Sequence, residues 1–243
     1  MVASSVPDNT ESASVKSIAS LPHLTLVLII LAFWAYRGAI GSERIAITAN
    51  LNRPVLYLTT MAFEWATLGV VLLGVRRHGS SLHTVLGERW RSPRAFARDV
   101  GVAAAFWLLS TLFLSAIPLR PHNAATPAVV QALLPQGWVE STLWIALSIS
   151  AGICEEAVYR GYLQRQLMAL TTSAPIGIVL AALAFGLSHA YKGWSGAVLI
   201  AVDGVLLGML AYWRGSVRPG MMAHAFGDSF AGMLARLLKI RIA

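Results

Sequence analysis

Glu155, Glu156 and Arg160 in "ICEEAVYRGYL", His189 in "FGLSH", and His224 and Asp228 in "HAFGD" interrupt the most apolar half of the chain. Each such group costs about a few kcal/mol to place in a bilayer, so groups of this kind face a bundle interior or a wet cavity and often mark function. Their types suit a hydrolysis. A carboxylate can take a proton from water while imidazoles stabilise the developing oxyanion. The same imidazoles and carboxylates (Glu155, His189, His224, Asp228) can instead ligate a divalent metal, zinc among the candidates, that activates the water. In both versions Glu155 is the base, and the bond broken inside the membrane is a peptide bond.

Spacing sorts these groups. Glu156 and Arg160 stand four apart and share a helix face, which suits an ion pair. Glu155 points about 100° away and is left to face something else. A purely structural network that fixes helix packing uses the same spacing. If 139–170 is one helix and 174–190 returns beside it, Glu155 and His189 each lie about 25 Å from the turn near residue 172. His224 and Asp228, also four apart, share a face like the paired ligands of helical metal motifs. They come out about 10 Å lower than His189, so tilt or a shortened sixth span must bring them level.

The elements that carry these residues follow from composition. Hydrophobic residues make up 56% of the 243 and charged residues 12%, about half the charged share of a soluble domain. Apolar runs at 21–40, 54–75, 96–118, 138–170, 174–190, 195–213 and 218–238 approach or exceed the roughly 20 residues that span a bilayer. The reading is an all-α polytopic transmembrane helical bundle of about seven spans. Breakers separate the runs: "NRP", "RHGSS", "IPLRP", "TTSAP" and "RGSVRPG". Residues 1–20 read as a disordered polar tail without the basic start of a signal peptide. Residues 21–243 read as one membrane-embedded domain.

The net charge of +8 sits mainly in loops, which points to topology and membrane lipid rather than to nucleic acid. Arg76, Arg77, Arg89, Arg91, Arg94 and Arg98 put the second loop on the cytoplasmic side. Alternation puts Arg165, Arg214 and Arg218 there too, but sends Arg236, Lys239 and Arg241 outside, against the rule. Trp34, Trp138, Trp194 and Trp213 fall near span ends, as interface anchors do. Glu64 and Asp203 read as polar packing contacts. Cys154, the single cysteine, excludes an internal disulfide and reads as packing.

The three motifs together resemble the CPBP family of CAAX proteases and bacteriocin-processing enzymes. "EEAVYR" is similar to its EExxxR motif, "FGLSH" to FxxxH, and "HAFGD" to its third motif, with "GVLLGMLAYWRGSVRPGMMAH" linking the last two. The resemblance covers about 135–235 and implies a membrane-embedded endopeptidase, often described as a metalloprotease, acting on a peptide or a membrane-anchored protein. It implies Glu155 as general base, Glu156 and Arg160 as its support, and His189 and His224 as ligands of metal or water. The family's third motif usually ends in Asn, whereas this chain has Asp228. An anionic oxygen favours a metal ligand over an oxyanion donor. The protein is then an integral, multi-pass one, of a prokaryotic plasma membrane.

Three rival readings share the residues. One is a non-catalytic scaffold or bacteriocin-immunity-type protein that keeps the fold. Another is a proton-coupled transporter, disfavoured because no internal repeat is visible. The third is a cysteine protease on Cys154 and His189, disfavoured because the neighbouring Glu155 carboxylate opposes a thiolate.

Overall fold

The computed structural model describes residues 16–48, 50–119 and 128–238. Among them every regular element is helical: α1 (Leu21–Ile47), α2 (Arg53–Arg77), α3 (His83–Leu86), α4 (Pro93–Ala116), α5 (Ala128–Leu133), α6 (Trp138–Glu155), a π-helical segment (Glu156–Leu163), α7 (Gln164–Thr171), α8 (Ala174–Ser188), α9 (Trp194–Arg214) and α10 (Arg218–Leu237), with a 3₁₀ turn at Ala190–Lys192 between α8 and α9. Helix starts are written in the chain. Proline stands in the first turn of α1, α2, α4, α8 and α10, where its missing N–H costs nothing. Asn52, Ser92 and Ser173 accept the N–H of Val55, Ala95 and Ile176, as N-caps do.

Each apolar run forms a helix. Leu21–Ser42, Arg53–Arg77, Pro93–Ala116, Trp138–Thr171 and Trp194–Arg214 are long and apolar enough to cross a membrane. The other two expected passes, the fifth and the seventh, are the 15-residue α8, which is apolar but short, and the 20-residue α10, which carries the polar motif. Large apolar side chains such as Ile29, Phe33, Leu109, Leu112 and Leu183 are exposed, a surface suited to lipid rather than water.

Small residues let the C-terminal helices touch backbone to backbone. A Cβ on Gly186 would lie 2.6 Å from the Ala197 carbonyl oxygen and one on Gly204 would lie 3.1 Å from Ala182 Cβ, which sets α9 antiparallel to α8. On the other side Gly152 lies against Met221 and Ala225, and the Trp144 indole donates to the Asp228 carbonyl at 2.9 Å. Helix α10 therefore runs antiparallel along α6.

The basic loop closes one end. Arg214 pairs with Asp99 at 2.9 Å, Asp99 takes the Trp90 indole N–H, and Arg218 lies over the Trp90 ring. The loop after α2 and the α9–α10 turn thus share an end, as the arginine pattern predicts. At the opposite end Arg236 donates to Ser141 and stacks on Trp138. Its charge is used in packing and carries no topological message. Lys239 and Arg241 lie outside the described residues.

Three local expectations need correction. Residues 16–20 are not tail: Ile18 and Ala19 are buried, and the Gln166 side chain accepts both their N–H groups and donates to the Ala19 carbonyl. A buried amide that satisfies chain polar groups in this way fixes the segment. The stretch 138–171 is not a uniform α-helix. From Glu156 it turns to π geometry, the Gln164 N–H bonding to the Tyr159 carbonyl five residues back, and such segments recur at functional sites. Trp34, expected near a span end, lies midway along α1 and stacks on Phe63 with centroids 4.0 Å apart, whereas Trp138, Trp194 and Trp213 are exposed near helix ends.

The π segment is clamped. Tyr162 hydrogen-bonds to His23 of α1 at 2.7 Å, and a Cβ on Gly161 would overlap the Val85 carbonyl oxygen of α3. Gly161→Ala is expected to destabilise the protein by about 1–3 kcal/mol, as overpacking does, and to loosen α3. Thermal melting in detergent and hydrogen exchange across 82–87 measure both.

Candidate functional site

The two adjacent glutamates have different fates. Glu156 is fully buried; its Oε1 takes the Arg160 guanidinium at 2.8 Å and the His224 Nδ1–H at 3.1 Å. Arg160 is buried too, donates to the Gly204 carbonyl beside Asp203, and lies 4.1 Å over the Phe185 ring. The expected ion pair is therefore present, and it also orients the His224 ring. With Nδ1–H given to a carboxylate, His224 turns Nε2 toward Glu155 Oε2 at 3.8 Å and Asp228 Oδ2 at 3.5 Å.

Glu155 faces elsewhere. Its Oε2 is buried and has no hydrogen-bond partner among the described residues. It lines a cavity of about 520 Å³ together with His189, Asp228, Lys192, Tyr191 and Glu64. The cavity is walled mainly by apolar side chains of α1, α2, α5 and α6, among them Leu31, Trp34, Leu56, Leu133 and Leu147.

His189 lies just past the end of α8. Its Nδ1–H donates to the Phe185 carbonyl at 3.0 Å, with the Ser188 hydroxyl at 3.1 Å. That bond leaves Nε2 as the acceptor. Phe185 separates the imidazoles, its ring centroid 4.8 Å from His189 and 6.1 Å from His224.

The expected level difference between the histidines is overcome by α10 rather than by a shortened α9, which is 21 residues long. A Cβ on Gly220 would sit 3.1 Å from Glu156 Oε2, so α10 begins level with Glu156 and needs one more turn to present His224.

As placed, these donors do not fit the anticipated metal. Among the described residues no three His, Cys, Asp or Glu side chains converge as a metal-holding group. Hydrogen bonds at Nδ1 of His224 and Nδ1 of His189 leave Nε2 of each as the nitrogen a metal would use, and these do not converge with a third donor. Asp228 is half exposed and close to the His224 imidazole, so its charge is used on that ring.

Sequence reasoning missed Lys192 and Tyr191, which no motif marks, and assigned Glu64 to packing. Glu64 is buried midway along α2, accepts the Ser150 hydroxyl at 2.7 Å and lines the same cavity as Glu155. Polarity within an apolar run was its signal, and no helix-spaced partner pointed to it.

Residues 136–230 match the family model described as Rce1-like, type II CAAX prenyl endopeptidase. This segment holds α6 through most of α10, and with them the three motifs. The match covers less than half of the chain and makes this segment similar to CAAX-type endopeptidases, within described residues that are helical and include five helices long and apolar enough to cross a membrane. No curated protein and no solved structure matches the chain.

Proposed function

We propose, on the premise of that match, that the chain is an intramembrane endopeptidase in which Glu155 activates a water against a peptide bond. The observation that supports it is the division of labour between adjacent carboxylates. Glu156 is spent on Arg160 and His224, while Glu155 keeps an unpartnered oxygen beside a cavity.

In this reading a water between Glu155 and His189 gives one proton to Glu155 as its oxygen attacks the carbonyl carbon. The lone pair on His189 Nε2 accepts the other O–H and holds the attack line. In this reading His224 is an imidazolium held among the Glu155, Glu156 and Asp228 carboxylates; aligned through Nδ1–H by Glu156, it presents Nε2–H to the oxyanion that forms. When the tetrahedral carbon collapses, Glu155 returns the proton to the leaving amine nitrogen. The substrate is a peptide or a membrane-anchored protein whose chain enters the apolar cavity from the bilayer. No step needs a metal, in keeping with the donor geometry.

The test is cleavage of a peptide library by the purified protein in detergent, with elemental analysis and a chelator arm. The expected result is cleavage at discrete bonds that 1,10-phenanthroline leaves unchanged. Loss of cleavage on chelation, restored by a divalent ion, would overturn the metal-free mechanism. No cleavage of any member or of any membrane-anchored substrate would favour the scaffold reading.

A further inference from the structure

Glu64 belongs to α2, outside the matched segment 136–230, and the mechanism above does not use it. Its carboxyl is half committed. Oε2 accepts the Ser150 hydroxyl at 2.7 Å, whereas among the described residues Oε1 has no hydrogen-bond partner and is not sealed from the cavity. The residue is 8% exposed, and that exposure is to the cavity it shares with Glu155, Asp228 and His189. No lysine, arginine or histidine forms an ion pair with it among the described residues.

A free acceptor in an apolar chamber at membrane depth is costly to the resting protein. An extended peptide entering that chamber has the complementary problem, because each of its backbone N–H groups leaves water and must find an acceptor. The remaining walls offer few. Besides Glu155 they hold the Asp228 carboxylate, which is turned to His224, and the neutral hydroxyl oxygens of Tyr57 and Ser148, which donate to the Leu133 and Trp144 carbonyls; the rest is mainly apolar.

We propose that Glu64 is a substrate-binding residue whose free carboxyl oxygen accepts a backbone N–H of the peptide lying in the cavity beside Glu155. This rests on the endopeptidase reading. It means that the N-terminal helices supply part of the binding site as well as its lipid-facing wall. The anchor holds the chain on the α2 side while the scissile carbonyl meets Glu155 and His224 on the α6–α10 side.

The experiment compares Glu64→Leu and Glu64→Gln on the library peptide that the wild-type protein cleaves fastest, together with a series of that peptide N-methylated at one backbone nitrogen at a time. Glu64→Leu is expected to raise KM about tenfold with kcat little changed, and Glu64→Gln, which keeps an acceptor oxygen, to restore KM. One N-methyl position should cost wild type the same factor and cost Glu64→Leu nothing further, which identifies the N–H. Melting of each variant without peptide gives a readout independent of turnover. A residue kept for substrate should leave Glu64→Leu as stable as wild type or more so. A fall in melting temperature of both variants with KM unchanged would overturn the proposal and make Glu64 a structural latch between α2 and α6. A loss of kcat in Glu64→Gln with KM unchanged would overturn it in favour of proton transfer. If the wild-type protein cleaves nothing, the endopeptidase reading fails, and a melting temperature lowered by Glu64→Leu then overturns the anchor as well.

Discussion

Glu155→Gln is expected to lower the rate of peptide cleavage about 10³-fold or more while the protein folds as before. The amide matches the carboxylate in shape, so the cavity that Glu155 lines keeps its form. What is lost is a group that can take the water's proton and later return it to the amine. Folding is preserved because the native Oε2 has no hydrogen-bond partner among the described residues and meets His224 Nε2 only at 3.8 Å, so a buried charge is removed for the loss of one long ion pair. The signature is thus opposite in its two readouts: turnover collapses, and the melting temperature in detergent stays level or rises. Full proteolysis by the variant would sink Glu155 as base. Cys154→Ala is the matched control one residue away. Its thiol is buried in the packed core, so the expected cost is a small loss of stability and no loss of turnover.

The helices were legible because a bilayer demands long apolar runs, and proline and cap residues mark where they begin. The pairing of Glu156 with Arg160 was legible for a similar reason, since four residues bring two side chains together whatever surrounds them. The π geometry was not, although it follows the pair directly. It depends on Val85 and His23, brought against Gly161 and Tyr162 from other helices. The level of His224 was missed because counting rises along upright helices assumes that neighbours start together. Gly220 and Gly152 instead let α10 start partway up α6. Glu64 was visible as a polar residue in an apolar run, but what it faces is decided by how α2 sits on α6. For the anticipated metal set, residue types gave the count and not the orientation. Two imidazoles and two carboxylates suffice by count, yet hydrogen bonds to Glu156 and Phe185 fix how each ring is turned.

Arg160→Ala is expected to cost about 3–5 kcal/mol of stability, the largest effect of any single change considered, because it strands a fully buried carboxylate. Glu156 would keep the His224 Nδ1–H as donor and lose the guanidinium 2.8 Å away. Its Oε2 is already without a hydrogen-bond partner among the described residues. The guanidinium also holds the Gly204 carbonyl and covers the Phe185 ring, so its loss opens the joint between the π segment, α8 and α9. Activity should fall with stability for a specific reason: His224 is aligned through Glu156, and a carboxylate freed from Arg160 can swing away from Nδ1. Glu156→Gln separates the two effects. It leaves Arg160 in place with a neutral acceptor, so folding should suffer less, while the weaker hold on Nδ1–H should still reduce kcat. Equilibrium unfolding in mixed micelles ranks the stabilities, and kcat on the same preparations ranks the alignment. If Arg160→Ala unfolds no more readily than wild type, the buried pair contributes nothing to the fold. If Glu156→Gln also keeps full kcat, His224 is placed by α10 alone.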